Sequence, residues 1–202
     1  METILGLCIG IGLSAACGFR VFVPLLVMSL ASILGWFEPM QGFEWLSMPS
    51  VCIALAIATV CEIAAYYIPW VDNALDTIAT PAAMVAGTLT TMAVSSGEMS
   101  QFASWAAAII VGGGTAGAVQ MSTVAVRGGS TATTGGVANP IVSTVEWVGA
   151  VLLSVLSLLV PVLVVIVGII LAIWTVRWFK RKKKTKYQHT LIVSVVFLSY
   201  SW

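Results

Sequence analysis

Charged side chains are scarce in this sequence, and that scarcity bounds its class. Only 8% of the 202 residues are Asp, Glu, Lys or Arg, whereas 59% are hydrophobic and the mean hydropathy is +1.04. A water-soluble domain carries about a quarter charged residues, so this chain has too little polar surface to cover a soluble globule. Lipid must then be part of its solvent. The composition predicts an all-α, polytopic integral membrane protein built as a helical bundle.

The sequence also has little of what enzyme and metal sites are built from. Its single histidine, His189, lies in the C-terminal tail, and the chain has no Ser-His-Asp set and no phosphate-binding loop. Residues 112–117 match the dinucleotide pattern G-x-G-x-x-G, but no strand precedes them. We therefore expect no enzymatic activity and no cofactor. These residues do not determine whether a metal ion binds. The four cysteines lack metal-ligand spacing and are interpreted as packing residues: Cys8, Cys17, Cys52 and Cys61.

Basic residues are nearly absent outside one segment. Seven of the nine lie in residues 177–186, and Arg20 and Arg127 are the others. Such a run directly after an apolar helix marks the cytoplasmic side of a membrane, so we predict a cytoplasmic tail over residues 179–202. An anionic lipid is a candidate partner of this tail, whereas nucleic acid is not expected because the rest of the chain is acidic. The apolar end of the tail, residues 187–202, has no functional interpretation.

Five apolar stretches are candidates for crossing the lipid bilayer, within a transmembrane domain of residues 1–178. A crossing helix needs roughly 20 residues. The third stretch is short for this, and the fifth is long enough to tilt. The polar residues 128–143 are predicted to form a loop before the fifth stretch. The predicted spans are residues 3–35, 49–68, 81–96, 100–126 and 147–176.

Prolines and one glycine indicate where these helices kink or end. Pro24 cannot donate a hydrogen bond to the Arg20 carbonyl, so a kink or break is predicted between Gly18 and Pro24. A short helix between two prolines predicts a broken or re-entrant element over residues 69–81. The predicted hinge residues are Gly18, Pro24, Pro69, Pro81 and Pro140.

Small residues recur at every fourth position of the first span, at Gly6, Gly10, Ser14 and Gly18. The fourth span is also rich in Gly and Ala, over residues 106–118. Such patterns let helix backbones approach closely in lipid. They predict tight packing, and they make a homodimer through these two helices a candidate assembly.

Two short motifs can be interpreted as a weak internal repeat. Glu44 and Trp45 precede the second span, and Glu146 and Trp147 precede the fifth. If these mark two copies of a helix pair separated by one extra span, the copies have opposite orientation, as in inverted-repeat transporters. Chance similarity between apolar segments is the alternative.

Ionisable side chains inside the apolar stretches are the candidate functional groups, because intramembrane charges are costly and often mark an ion or substrate pathway. Carboxylates in a partly watered cavity can exchange protons, and clustered oxygens can bind cations. The alternative for Asp72 and Asp76 is a solvated loop in which Asp72 caps a helix. The predicted substrate- or ion-binding residues are Glu62, Asp72, Asp76, Asn139 and Glu146.

Two arginines and one glutamine are predicted to balance these acids. Arg20, Gln120 and Arg127 are interpreted as counter-charge or gating groups, because two cations among several acids suggest ion pairs. Arg20 could instead bind an anionic group of a substrate. Arg127 could instead extend towards lipid headgroups.

The spaced polar residues and prolines resemble a known family, the bacterial membrane proteins of the domain of unknown function 4126. The resemblance covers about residues 3–180 and implies a small inner-membrane protein with no established substrate or reaction. Many relatives carry a charged pair at the positions of Tyr66 and Tyr67 and a basic stretch at residues 122–124, so a counter-charge is missing here. The end of the chain after Lys186 also departs from the family. The residues that carry the resemblance are Gly18, Phe19, Arg20, Pro24, Leu25, Glu62, Ile68, Pro69, Asp72, Asp76, Thr80, Pro81, Asn139, Pro140, Ser143 and Glu146.

The predicted function is a small transporter or channel of the cell inner membrane that handles protons, cations or a small solute through its carboxylates. The alternative is a non-transporting membrane scaffold that binds lipid or a partner. A water-filled cavity touching Glu62, Asp72 and Arg20 would favour transport, whereas polar groups that pair off away from water would favour the scaffold. Under the transport hypothesis, Glu62→Gln should abolish flux without unfolding the protein.

Overall fold

Helices form all of the regular secondary structure in the residues that the computed structural model describes, which are 2–68, 71–95, 99–174 and 177. The predicted all-α fold class is confirmed for these ranges, in which no strand occurs. The chain divides into two units, residues 1–164 and 165–202. The connection between α2 and α3 spans residues 34–48 and contains a 3₁₀ turn at Glu44–Ser47. The helices are α1 (Glu2–Cys17), α2 (Phe22–Ile33), α3 (Pro49–Ala65), α4 (Val71–Ala93), α5 (Gln101–Ala107), a π-helical segment (Ala108–Gly113), α6 (Gly114–Thr134), α7 (Asn139–Leu159) and α8 (Pro161–Trp174).

Helices α1 and α4 run antiparallel. Ser14 Oγ donates to the Gly87 carbonyl at 2.8 Å, and Thr91 Oγ1 donates to the Gly10 carbonyl at 3.3 Å, so residue numbers rise along α1 as they fall along α4. In lipid, where apolar burial between helices gains little, such hydroxyl bonds and close packing hold helices together.

Glycines let α4 approach the π-helical segment closely. A Cβ placed on Gly87 would lie 2.6 Å from Ala116 Cβ and 2.8 Å from the Gly112 carbonyl oxygen. One placed on Gly112 would lie 2.5 Å from the Gly87 carbonyl oxygen. The small residues predicted to allow tight packing therefore do so within a single chain. The homodimer predicted from the same pattern stays a prediction, and Gly114, whose Cβ position is open, is not used by packing within the chain.

The predicted first span, residues 3–35, is two helices rather than one. Helix α1 ends at Cys17 and α2 begins at Phe22, so the break predicted after Gly18 is present. Pro24, however, is not a kink inside a helix. It lies in the first turn of α2, where a backbone N–H has no intrahelical acceptor and its absence costs little.

The predicted break at Pro81 is wrong, because α4 continues through it from Val71 to Ala93. The predicted third span, residues 81–96, is thus only the later part of a longer helix. A proline inside a helix removes one hydrogen bond. Burial of the small α4 residues Ala79, Ala83 and Ala86 against neighbouring helices offsets that loss. Pro69, the other predicted end of this element, lies outside the described residues.

The polar loop predicted over residues 128–143 is also mostly helical. Helix α6 continues to Thr134, and a turn with Gly135 at φ 64° separates it from α7. Thr133 and Thr134 donate their hydroxyls to carbonyls of the preceding turn, which satisfies these side chains within the helix. Pro140 occupies the first turn of α7 and so begins a helix, and its predicted role as a hinge stays a prediction.

The predicted spans on either side of that loop change accordingly. The fourth, residues 100–126, extends to Thr134 as one helical stretch from Gln101. The fifth, residues 147–176, begins earlier, at Asn139, and is interrupted at Val160, which separates α7 from α8. Pro161 therefore starts a new helix, as prolines often do.

The outer faces of the helices are apolar, and many buried side chains are polar. On α3, Ile53, Ile57 and Val60 are each more than half exposed, whereas Arg20 and Arg127 are almost fully buried. Among the described residues, two helical stretches are long and apolar enough to cross a membrane, Gln101–Thr134 and Asn139–Leu159. This distribution inverts the usual pattern of a water-soluble domain.

Candidate functional site

Four charged side chains from different parts of the chain meet in the interior, and we call them the buried ion-pair cluster: Arg20, Asp76, Arg127 and Glu146. Arg20 lies in the break between α1 and α2, Asp76 in the early turns of α4, Arg127 late in α6, and Glu146 early in α7. The exposed fractions of their side chains are 1%, 11%, 2% and 4%, respectively. The sequence predicted each as a candidate functional residue, and the fold brings all four into contact.

The cluster is held by a shared carboxylate. Arg127 Nε lies 3.2 Å from Glu146 Oε1, and Arg127 Nη2 also contacts Glu146 Oε2. Arg20 Nη2 lies 3.1 Å from the same Oε2. Arg127 Nη1 reaches Asp76 Oδ1 at 2.6 Å. The two guanidinium charges formally cancel the two carboxylate charges, which is how buried ions offset the cost of leaving water.

Tyr66 supports both arginines from the end of α3. Its ring centroid lies 3.8 Å from Arg20 Cζ and 4.0 Å from Arg127 Cζ, distances typical of cation–π contacts. Arg20 Nη2 also donates to the Ser143 carbonyl at 3.3 Å. The sequence did not predict this contact, because Tyr66 meets two arginines that are distant from it along the chain and no local pattern signalled them.

Tyr67 joins the end of α3 to α7 on the outer side of the cluster. Its hydroxyl lies 2.7 Å from Thr144 Oγ1, and Trp147 Nε1 donates to it at 3.3 Å. These bonds fix α3 against the same turns of α7 that carry Glu146. The geometry of the cluster therefore depends on contacts that surround it as well as on its own ion pairs.

Glu62 caps the start of α2. Its carboxylate accepts hydrogen bonds from the backbone N–H groups of Val21, at 2.7 Å, and Phe22, at 3.1 Å. These N–H groups have no intrahelical acceptor, and the positive end of the helix dipole favours a carboxylate there. The structure thus places Glu62 one turn before Tyr66, beside the cluster. Its predicted role in ion binding stays a prediction.

We expect Glu62→Gln to lower the free energy of unfolding by about 1 kcal/mol, because glutamine keeps only one of the two oxygens that accept from the Val21 and Phe22 N–H groups and loses the charge that favours the helix N-terminus. Denaturant titration in mixed micelles measures this. Glu38→Gln is the matched control, since Glu38 is exposed in the loop after α2. Equal stability of the two variants would contradict the capping role.

The remaining predicted site residues lie outside the cluster. Gln120 is 2% exposed on the face of α6 that also buries Thr123 and Arg127, and it precedes Arg127 by seven residues, which is about 10 Å along a helix. Asn139 Nδ2 donates to Thr131 Oγ1 at 3.1 Å, at the turn between α6 and α7. Asp72 lies in the first turn of α4, where only the backbone is described.

A line of one thiol and three hydroxyl groups begins near the cluster and follows the contact between α1 and α4. Cys17 Sγ lies 3.8 Å from Thr90 Oγ1, which is 3.5 Å from Ser14 Oγ. Ser14 Oγ is in turn 2.8 Å from Thr91 Oγ1. All four side chains are buried. The small-residue pattern predicted only close packing at Ser14, and it did not predict this polar line.

An apolar cavity of about 360 Å³ lies elsewhere, between α4, α5 and the π-helical segment. Met84, Trp105 and Gly113 are among its lining residues, and no member of the ion-pair cluster is. Within the described part of the chain, no three His, Cys, Asp or Glu side chains come together as metal ligands would.

Comparison with known proteins identifies the family of this chain. Residues 7–181 match the family described as Domain of unknown function (DUF4126). The chain belongs to this family. The match covers every residue of the ion-pair cluster and confirms the family assignment made from the spaced polar residues. No curated protein and no solved structure matches the chain. The family description names no activity, so function has to be argued from the geometry.

Proposed function

We propose that this protein is a multi-pass transporter of the bacterial inner membrane that moves a small solute or ion past the buried ion-pair cluster. The membrane setting is supported by the apolar outer faces of the helices and by two stretches long enough to cross a bilayer. The basic run at residues 177–186, which lies outside the described residues except for Arg177, favours a cytoplasmic C-terminus.

The observation that carries the proposal is that Arg20, one member of the cluster, lies in a break between two helices, while the other three members reach it from inside α4, α6 and α7. Arg20 lies in the break between α1 and α2, and Tyr66 immediately follows α3. Asp76 lies near the start of α4. Transporters commonly place binding groups where helices are discontinuous, because backbone and side-chain polar groups are both accessible there. Ionisable residues kept inside an apolar bundle are costly and usually mark such a pathway.

The geometry favours a carrier over an open channel. The side chains of the cluster are at most 11% exposed. A solute would need a conformational change to arrive, as in a carrier with an occluded state. Asp76 is the most exposed member and is the candidate point of entry. A cation or proton bound there would compete with Arg127 for the carboxylate.

We expect Asp76→Asn to reduce flux at least tenfold in proteoliposomes while leaving the protein folded, because asparagine still offers Arg127 an acceptor oxygen but cannot carry the charge. Protons, monovalent and divalent cations, small anions and neutral solutes would be tested in turn. Glu38→Gln is the control, since this exposed carboxylate lies in the loop after α2. Monodispersity on size exclusion checks folding.

Flux at the wild-type rate in Asp76→Asn would remove the cluster from the transport pathway.

A second candidate function, a non-transporting scaffold, is favoured by one observation: the charged groups pair off with one another inside the bundle. The scaffold predicts no flux of any tested solute by the wild-type protein. Its binding partner would then be sought through the basic tail, with anionic lipid tested first.

A further inference from the structure

Arg20 is the least satisfied member of the ion-pair cluster. Its Nη2 contacts Glu146 and the Ser143 carbonyl, but Nε and Nη1 have no hydrogen-bond partner among the described residues. The side chain is 1% exposed. A buried guanidinium normally has its donors paired, because an unpaired buried donor loses its bonds to water without replacement.

Gln120 contributes a second unpaired donor, on the helix that the chain contacts just before Arg20. Its Nε2 has no partner in the part of the chain that the structure describes, and the residue is 2% exposed. Gly18 packs directly on this helix: a Cβ placed on it would lie 2.6 Å from the Ala116 carbonyl oxygen and 2.5 Å from Val119 Cβ. Gln120 follows Val119 directly on α6, and Arg20 follows Gly18 by two residues, so the two residues flank this contact in sequence.

The charge balance within the cluster is uneven. Arg127 takes both oxygens of Glu146 and has Asp76 as well. Arg20 shares one oxygen of Glu146 and has no carboxylate to itself among the described contacts. Glu62, the nearby acid, is engaged by the N–H groups at the start of α2. Arg20 therefore has fewer carboxylate contacts than Arg127, although the four charges of the cluster cancel in sum.

We propose that Arg20 Nε and Nη1, together with Gln120 Nε2, bind an oxyanion group of a small solute, a carboxylate or a phosphate. All three are donors, so the missing partner must be an acceptor, and a guanidinium pairs best with an anionic oxygen. The inference rests on the proposed function and names its solute class. Because the site is closed in this conformation, the anion enters when the break between α1 and α2 moves away from α6.

Binding to the full-length protein in detergent tests the inference separately from transport. Acetate and inorganic phosphate are the probes, acetamide is the uncharged counterpart of acetate, and phosphatidylglycerol in mixed micelles is the lipid arm. Calorimetric titration gives the affinity. We expect acetate or phosphate to bind, acetamide to bind at least tenfold more weakly, and Gln120→Met to weaken oxyanion binding at least tenfold.

Two further variants keep the test decisive. Gln101→Met is the matched control, because Gln101 is exposed at the start of α5, and it should bind like wild type. Arg20→Lys keeps the charge but removes the guanidinium donors, and it should lose binding if it folds. Gln120→Met retains the cluster and remains informative if Arg20→Lys does not fold.

The outcomes separate this inference from the proposed function. No binding of acetate or phosphate by the folded wild type would overturn the inference, and so would wild-type affinity in Gln120→Met or binding of phosphatidylglycerol alone. Cation or proton flux that Asp76→Asn abolishes, without oxyanion binding, would leave the transporter proposal standing and reject the oxyanion site. Oxyanion binding without any flux would support the site and reject transport.

Discussion

Glu146→Gln is expected to lower the free energy of unfolding by about 3–5 kcal/mol, the largest effect of any single charge removal in this protein. Glu146 is 4% exposed and is contacted by both Arg20 and Arg127. Removing its charge leaves two buried guanidiniums with Asp76 as their only ion-pair partner in the described residues. Breaking a buried ion pair from one side costs this much because the remaining ion stays out of water uncompensated.

Denaturant titration in mixed micelles would measure the effect of Glu146→Gln, with circular dichroism reporting helix content. Glu38→Gln is the control, since surface changes of this kind usually stay within about 0.5 kcal/mol. A loss below about 1 kcal/mol for Glu146→Gln would show that the arginines find other partners. The loss of stability in Asp76→Asn should lie between those in Glu38→Gln and Glu146→Gln, because Arg127 keeps both oxygens of Glu146.

Gly112→Ala and Gly114→Ala are expected to change stability in opposite directions, although the two glycines are two residues apart. A Cβ on Gly112 would lie 2.5 Å from the Gly87 carbonyl oxygen, so α4 would have to move, at a cost of about 1–3 kcal/mol for overpacking. A Cβ on Gly114 would meet nothing within 4 Å. Alanine there should add about 0.5–1 kcal/mol through helix propensity alone.

Comparing the two variants separates the effect of packing from the effect of the substitution itself, since glycine is replaced by alanine at both positions. Thermal unfolding in detergent, followed by tryptophan fluorescence, would give the order Gly114→Ala, wild type, Gly112→Ala from highest to lowest melting temperature. A reversed order would show that α4 and the π-helical segment do not touch at Gly87. An effect at Gly114 in the destabilising direction would indicate that this open face is covered by a partner.

Much of the candidate site could be recognised from the amino-acid sequence, because charge is so scarce in this chain. Arg20, Asp76, Arg127 and Glu146 each stood out as an ionisable side chain in or beside an apolar stretch. Their number also suggested ion pairs. Which acid meets which arginine could not be deduced, because it depends on how α4, α6 and α7 turn their faces towards one another. The same limit explains why Glu62 was grouped with the other acids although it caps α2.

Prolines in this chain mark helix starts more often than kinks or breaks. A proline removes one N–H wherever it occurs, but the cost depends on whether that N–H had an acceptor and on what packing offsets the loss. Pro24, Pro140 and Pro161 lie in first turns, where the cost is small. Pro81 lies in the interior of α4, where burial of neighbouring alanines keeps the helix continuous.

The sequence by itself determined the helical class, the family and the identity of the scarce charged residues, because composition, periodicity and motif order are properties of the chain alone. Only the tertiary structure decided that Glu146 is divided between two arginines, that Tyr66 lies against both, and that Arg20 keeps unpaired donors. These features arise between helices that are distant in sequence. Their contacts depend on interhelical packing and hydrogen bonds, which no local pattern in the chain encodes.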